Sequence, residues 1–236
     1  MAVPVKLRWV MGLSIAAMVV VVPIVHFRAV YDHGRRLREV KAGVLYRSGC
    51  LTAEGFKDTV QRLGIKTIVN LQDEFIDPPV RVSYLNTSTV SEVQLCKEMG
   101  VHYVYLPPDL IARRKVGKER PKAIDDFLAL MDNPANYPVL IHCKAGLHRT
   151  GCMVAVYRME YQGWTPYEAL CEAKANGFGE WVSSAANEYI LQYITSYQPR
   201  QGLSRSPPLP LSPSGSPADG VGRGGEGERG RGGPVR

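Results

Sequence analysis

The stretch Pro138–Met159, PVLIHCKAGLHRTGCMVAVYRM, is where residue types and spacing carry chemistry. A β-like apolar run ends at His142 and a helical pattern begins near Arg149. Between them, Cys143, Lys144, Ala145, Gly146, Leu147 and His148 make a short loop, with a cysteine at one end and Arg149 at the other. Successive backbone N–H groups in such a loop can curl into an anion-binding nest, and the following helix adds its dipole at the same point. Gly146 permits the backbone angles or close approach that a side chain would obstruct. In that field a cysteine serves as a thiolate nucleophile. The planar fork of Arg149 suits bidentate contact with two phosphoryl oxygens. In-line attack on phosphorus spreads charge over the equatorial oxygens, which amides and guanidinium can hold. Thr150 follows directly, with a hydroxyl placed to hydrogen-bond the Cys143 sulfur.

The elements that must position this loop are legible as an alternation. Strand-like runs occur at Val44–Arg47, Ile65–Leu71, His102–Leu106 and Val139–His142. Helical patterns occur at Thr52–Leu63, Ser91–Met99, Glu119–Met131, Thr150–Tyr161, Thr165–Ala175 and Trp181–Tyr197. Thr52-Ala-Glu-Gly and Thr165-Pro-Tyr-Glu have the composition of helix starts, the second with Pro166 at the first helical position and Glu168 at the third. The pattern predicts an α/β fold with a central, mostly parallel sheet flanked by helices. The catalytic-type domain is expected over 32–198, between an N-terminal segment, 1–31, and a C-terminal segment, 199–236.

HCKAGLHRTG is similar to the phosphate-binding signature of the protein tyrosine phosphatase superfamily, H-C-x-x-G-x-x-R-S/T-G, and resembles its dual-specificity and atypical dual-specificity branches most. The resemblance extends upstream through LYRSGCLTAEGFKDTVQRLGIKTIVNLQDE and downstream through YRMEYQGWTPYEALCEAKANGFG. It implies that Cys143 is the nucleophile and that Thr150 assists breakdown of a cysteinyl-phosphate. His142 would support the loop, and Lys144, Ala145, Gly146, Leu147, His148 and Arg149 would bind phosphate, with no metal or cofactor. It further implies a general acid on a loop upstream. Leu106-Pro107-Pro108-Asp109 lies where that loop should be, so Asp109 is the candidate, although Pro-Pro-Asp is also ordinary turn chemistry. Asp73, Asp125 and Asp126 are fallbacks, and Asp77 reads as a turn residue. Lys144 and His148 are the loop residues free to add positive charge over a multiply phosphorylated ligand. The implied substrate is phosphotyrosine or phosphoserine/threonine in proteins, or else an inositol phosphate or phospholipid. A catalytically silent phosphate-binding adaptor is the rival from another class, and a thiol-based sulfur or arsenate enzyme a third reading.

The remainder of the chain narrows these readings. Its five cysteines, Cys50, Cys96, Cys143, Cys152 and Cys171, have irregular spacing that suggests neither a disulfide framework nor a metal site. His142, Cys143, His148 and Cys152 lack tetrahedral-site spacing, and Cys152 reads as a packing residue. The net charge of +7 over 236 residues is spread along the chain, without the basic stripe and aromatic interleaving of a nucleic-acid binder. Trp9–Val25 is an unbroken apolar run with basic flanks, Trp9 and Phe27 near its ends, and no small-residue cleavage site after it. It predicts a single-pass transmembrane anchor, and the basic cluster Arg35, Arg36, Arg38 and Lys41 places the domain on the cytoplasmic side. From Pro199 onward Pro, Ser, Gly and Arg dominate and aromatics vanish, which predicts a disordered tail.

Overall fold

The structure is a computed structural model and describes residues 4–28, 34–108, 120–179 and 184–200. Its elements in chain order are α1 (Val5–Arg28), β1 (Arg38–Lys41), β2 (Leu45–Ser48), α2 (Ala53–Leu63), β3 (Thr67–Asn70), β4 (Pro79–Arg81), β5 (Thr89–Ser91), α3 (Glu92–Glu98), β6 (His102–Tyr105), α4 (Lys122–Met131), β7 (Val139–His142), α5 (His148–Gln162), α6 (Pro166–Ala175) and α7 (Ser184–Ser196). The expected C-terminal tail beyond residue 200, Asp109, and the start of the last helix at Trp181 lie outside the described residues.

Five strands form one sheet in the order β1-β2-β7-β3-β6. β2, β7, β3 and β6 are mutually parallel, and β1 runs antiparallel to β2 at the edge. Every residue of β2, β3 and β7 is buried, as expected for parallel strands covered on both faces. Their side chains alternate between two cores. Leu45, Val69, Val139 and Ile141 pack under α4, α5, α6 and α7, while Tyr46, Ile68 and Leu140 pack against α2 and α3. α5 is buried on nearly all sides because helices α4, α6 and α7 enclose it against the sheet.

Local rules fix the helix ends. Thr52 caps α2 by accepting from the Gly55 N–H at 3.1 Å, and Gly64 ends it in the left-handed region. Thr165 and Glu168 form a reciprocal capping box at the start of α6. Two features escape periodicity. β1 is an edge strand with only Val40 buried, so it reads as a run of charge rather than as a strand. β4 and β5 form a small antiparallel hairpin of three residues each, too short to alternate visibly. The hairpin is tied to the start of α2 by the Glu54 N–H donating to the Val82 carbonyl at 3.1 Å.

α1 is an exposed helix whose segment Lys6–Phe27 is long and apolar enough to cross a membrane. At the other end, Arg200 belongs to the folded body despite its tail-like neighbours. Its Nε donates to Glu160 Oε1 at 2.5 Å, its Nη1 to Asp132 at 2.7 Å and its backbone N–H to Glu160 at 3.2 Å.

Candidate active site

The site follows from strand register. His142, the last residue of β7, pairs with Ser48 on one side and Asn70 on the other. Because the three strands are parallel, their chains leave the sheet at the same edge, where loops of α/β sheets bind ligands. Cys143 therefore emerges between Gly49 and Leu71. β1 runs the opposite way, so the residues preceding it arrive at this edge too.

The loop from Cys143 is held by its carbonyls. The Lys144 carbonyl accepts from the Cys50 N–H at 3.2 Å, that of Ala145 from Arg36 Nη1 at 3.1 Å, and that of Gly146 from Arg47 Nη2 at 2.9 Å. In a planar trans peptide the next N–H points opposite to the carbonyl. Anchoring three carbonyls outward thus turns the amides of Ala145, Gly146 and Leu147 inward. The Gly146 N–H donates to the Cys143 sulfur at 3.2 Å. Gly146 has φ of +74°, and a Cβ there would come within 2.6 Å of Gly49 N and of the Ser48 carbonyl group. Only glycine fits. Arg47 is a site residue that sequence reasoning missed. It is 3% exposed, and burial lowers its pKa to about 10, so it stays charged at neutral pH. An arginine inside an otherwise buried strand is the signal that would have found it.

Arg149 lies on the first turn of α5 and reaches across to the chain leaving β3. Its guanidinium donates to the Leu71 carbonyl at 3.2 Å, to Asp73, and in parallel to both oxygens of Glu74 at 2.9 and 3.0 Å. That hydrogen bonding is the main reason the Glu74 carboxyl titrates near 2. Asp73, read as a spare acid, is instead a partner of the arginine. On α4, Asp125 pairs with Arg120, which precedes the helix, and Asp126 with Lys122, while Asp77 accepts from Ser91 and the Val93 N–H.

His142 Nε2 lies 3.1 Å from Glu92 Oε1, and both side chains are 3% exposed. Glu92 begins α3 and was not singled out by the sequence. Thr150 is fully buried, and its hydroxyl has no hydrogen-bond partner among the described residues, so the expected bond to the Cys143 sulfur is not made. His148 departs from expectation as well. It packs beside Phe178 with centroids 5.7 Å apart, and burial followed by the charge of Arg149 lowers its pKa below the ordinary 6.5. Both effects favour the neutral imidazole in the chain as it stands. Lys144 is exposed. Burial pushes the Cys50 and Cys152 thiols up to about 12, which makes them inert at neutral pH.

A cysteine in a nest of inward amides, at the carboxyl edge of a parallel sheet and followed by a helix bearing the arginine, defines a cysteine-phosphatase fold and site. The chain belongs to the family described as DSP-PTPase phosphatase fused to NAD+ kinase, whose model matches residues 20–187. It is 32% identical over 124 residues to inositol diphosphatase SIW14 of Saccharomyces cerevisiae, covering 52% of this chain and 39% of that protein. It is 28% identical over 137 residues to inositol diphosphatase DSP3 of Arabidopsis thaliana, covering 58% and 60% respectively. The chain thus spans less than two thirds of the length of these relatives. The crystal structure of the core catalytic domain of PP-IP phosphatase SIW14 from S. cerevisiae in complex with citrate aligns with a TM-score of 0.50 and 26% identity, over 67% of this chain and 85% of that one.

Proposed function

We propose that the chain hydrolyses phosphate monoesters through a cysteinyl-phosphate, with Cys143 as nucleophile. The observation that carries this reading is the Gly146 N–H aimed at the Cys143 sulfur inside a loop whose Lys144, Ala145 and Gly146 carbonyls are bound from outside. The sulfur attacks phosphorus and the ester P–O bond breaks. The leaving oxygen takes a proton from an acid, for which Asp109 is the candidate. Water then splits the S–P bond, releasing inorganic phosphate and restoring the thiolate. The inward amides and Arg149 are positioned to hold the equatorial oxygens, which requires Arg149 to exchange Glu74 for phosphate. Thr150 has a hydroxyl free to turn toward the departing sulfur, and His142, set against Glu92, holds the start of the loop.

Phosphoproteins are one substrate class. The inositol diphosphatases among the relatives favour inositol phosphates as the other. The α1 segment is read as a single-pass anchor that leaves the domain on the cytoplasmic side. The test is phosphate release from an aryl phosphate by the full chain in the presence of chelator, beside Cys143→Ser. Turnover that resists the chelator and vanishes in the variant supports the thiolate route. A folded but inactive wild-type chain would make it a phosphate-binding module instead.

A further inference from the structure

Beside the signature loop lies a cleft of about 400 Å³ that the reaction scheme leaves unused. Lys144 and Cys50, joined by a main-chain hydrogen bond, both line it. Arg35, Arg81 and Lys144 line it, and no described lining residue is acidic. Gln72, 3% exposed, also lines it, and its side-chain amide nitrogen is buried without a hydrogen-bond partner. A buried donor without an acceptor is costly unless a ligand completes it. The nearby carboxylates of Asp73 and Glu74 are taken by Arg149. The cleft is therefore built for the anionic or hydroxylated remainder of a substrate whose phosphate sits over Cys143.

Two further observations say where that substrate resides. Arg35 is only seven residues beyond Arg28, the end of α1, so the cleft wall lies within about 25 Å of the helix end however the intervening chain runs. The wall and the tether are one segment. Arg35 donates to the Cys50 carbonyl at 3.4 Å and accepts from the Gly49 N–H at 2.7 Å through its own carbonyl, while Arg36 holds the Ala145 carbonyl. The antiparallel course of β1 puts residues 34–37, the first described after α1, at the catalytic edge. Exposed apolar side chains adjoin the cleft residues along the chain. Phe75 and Tyr84 line the cleft, and their neighbours Ile76 and Leu85 are 68% and 89% exposed. Exposed aliphatic tips beside cations are the composition of a surface that rests in a lipid headgroup layer.

We propose that the cleft is a headgroup subsite, and that the substrate is a membrane phospholipid ending in a phosphate monoester. This rests on the reading of Cys143 as nucleophile and α1 as anchor. The bond broken is the P–O ester bond of the terminal phosphate, to inositol in a phosphoinositide and to glycerol in diacylglycerol phosphate. The lipid alcohol leaves with the proton, and water frees the phosphate from the sulfur. A phosphopeptide lies outside the lipid layer and has no use for Ile76 and Leu85.

The full chain is reconstituted in phosphatidylcholine vesicles and offered diacylglycerol phosphate and phosphatidylinositol phosphate in the bilayer. A phosphotyrosyl peptide, a free inositol polyphosphate and an aryl phosphate are compared in solution. At least one lipid should exceed the peptide and the inositol phosphate by about tenfold in kcat/KM. Arg81→Glu, and separately Ile76→Asp with Leu85→Asp, should each lower the ratio of lipid to aryl-phosphate turnover about tenfold. Peptide or soluble inositol phosphate turned over as well as both lipids, or ratios unchanged in both variants, would overturn the proposal. Absence of aryl-phosphate release would instead remove the phosphatase reading, and failure to float with vesicles the anchor, each taking the lipid proposal with it.

Discussion

The guanidinium of Arg149 and the carboxylate of Glu74 face each other in two parallel hydrogen bonds of 2.9 and 3.0 Å. A phosphate dianion would seek the same fork, so Glu74 acts as a resident competitor. Glu74→Gln should lower the inhibition constant of inorganic phosphate about two- to tenfold, because it removes both the competing bond and a like charge. A rise in that constant would show instead that Glu74 orients the arginine for phosphate.

The same pair sets a pH dependence. The Glu74 carboxyl is depressed from 4.5 to about 2 chiefly by its bond to Arg149. Its stabilisation is thus fully present above pH 4.5 and is lost as pH falls from there toward 2. With the Glu74 side chain 44% exposed, solvent screening keeps the effect small. Denaturant unfolding of wild type and Glu74→Gln should give stability differences that shrink across that window.

Gly146→Ala sets a Cβ within 2.6 Å of backbone atoms of Ser48 and Gly49, at a φ of +74°. The loop must move away from β2. A loss of about 2–4 kcal/mol in stability is expected, with kcat/KM down by about 100-fold or more as the amides lose their aim. Thermal melts and aryl-phosphate turnover measure the two effects together, and unchanged turnover would refute the interlock.

Arg47 Nη2 reaches the Gly146 carbonyl at 2.9 Å from a fully buried strand. Arg47→Leu leaves that carbonyl without its donor, a cost of about 1–3 kcal/mol. It should cut kcat by about tenfold or more while changing KM less.

His148 should report its burial through stability. Its pKa lies below 6.5 in the folded chain, so the unfolded chain takes up the proton first as pH falls. Its contribution is complete above 6.5 and declines below it. Replacing His148 with Phe, beside Phe178, should flatten the stability profile between pH 7.5 and 5, as followed by urea unfolding.

Reading the sequence against the fold separates two kinds of information. The placing of Cys143, Gly146, Arg149 and Thr150 around one strand-to-helix loop was legible because one covalent segment sets their spacing. The same holds for the cap at Thr52 and the capping box at Thr165, which are satisfied within a turn of chain. Arg47, Glu92 and Glu74 were illegible as site residues, and the pairing of Asp73 with Arg149 was too, because they lie far along the chain from the loop they touch. Strand order brings Arg47, Asp73 and Glu74 there, and the start of α3 brings Glu92. β2 and β3 both flank β7 in parallel register, so the chains leaving them meet around the loop leaving β7. The surroundings of His148 were illegible for a related reason, since Phe178 packs beside it from beyond α6. The sequence by itself determined which chemistry the loop can do, because that chemistry is local. Only the tertiary structure decided how the loop is held open, what occupies its arginine and which segment walls its cleft, because each depends on partners that only folding brings within hydrogen-bonding range.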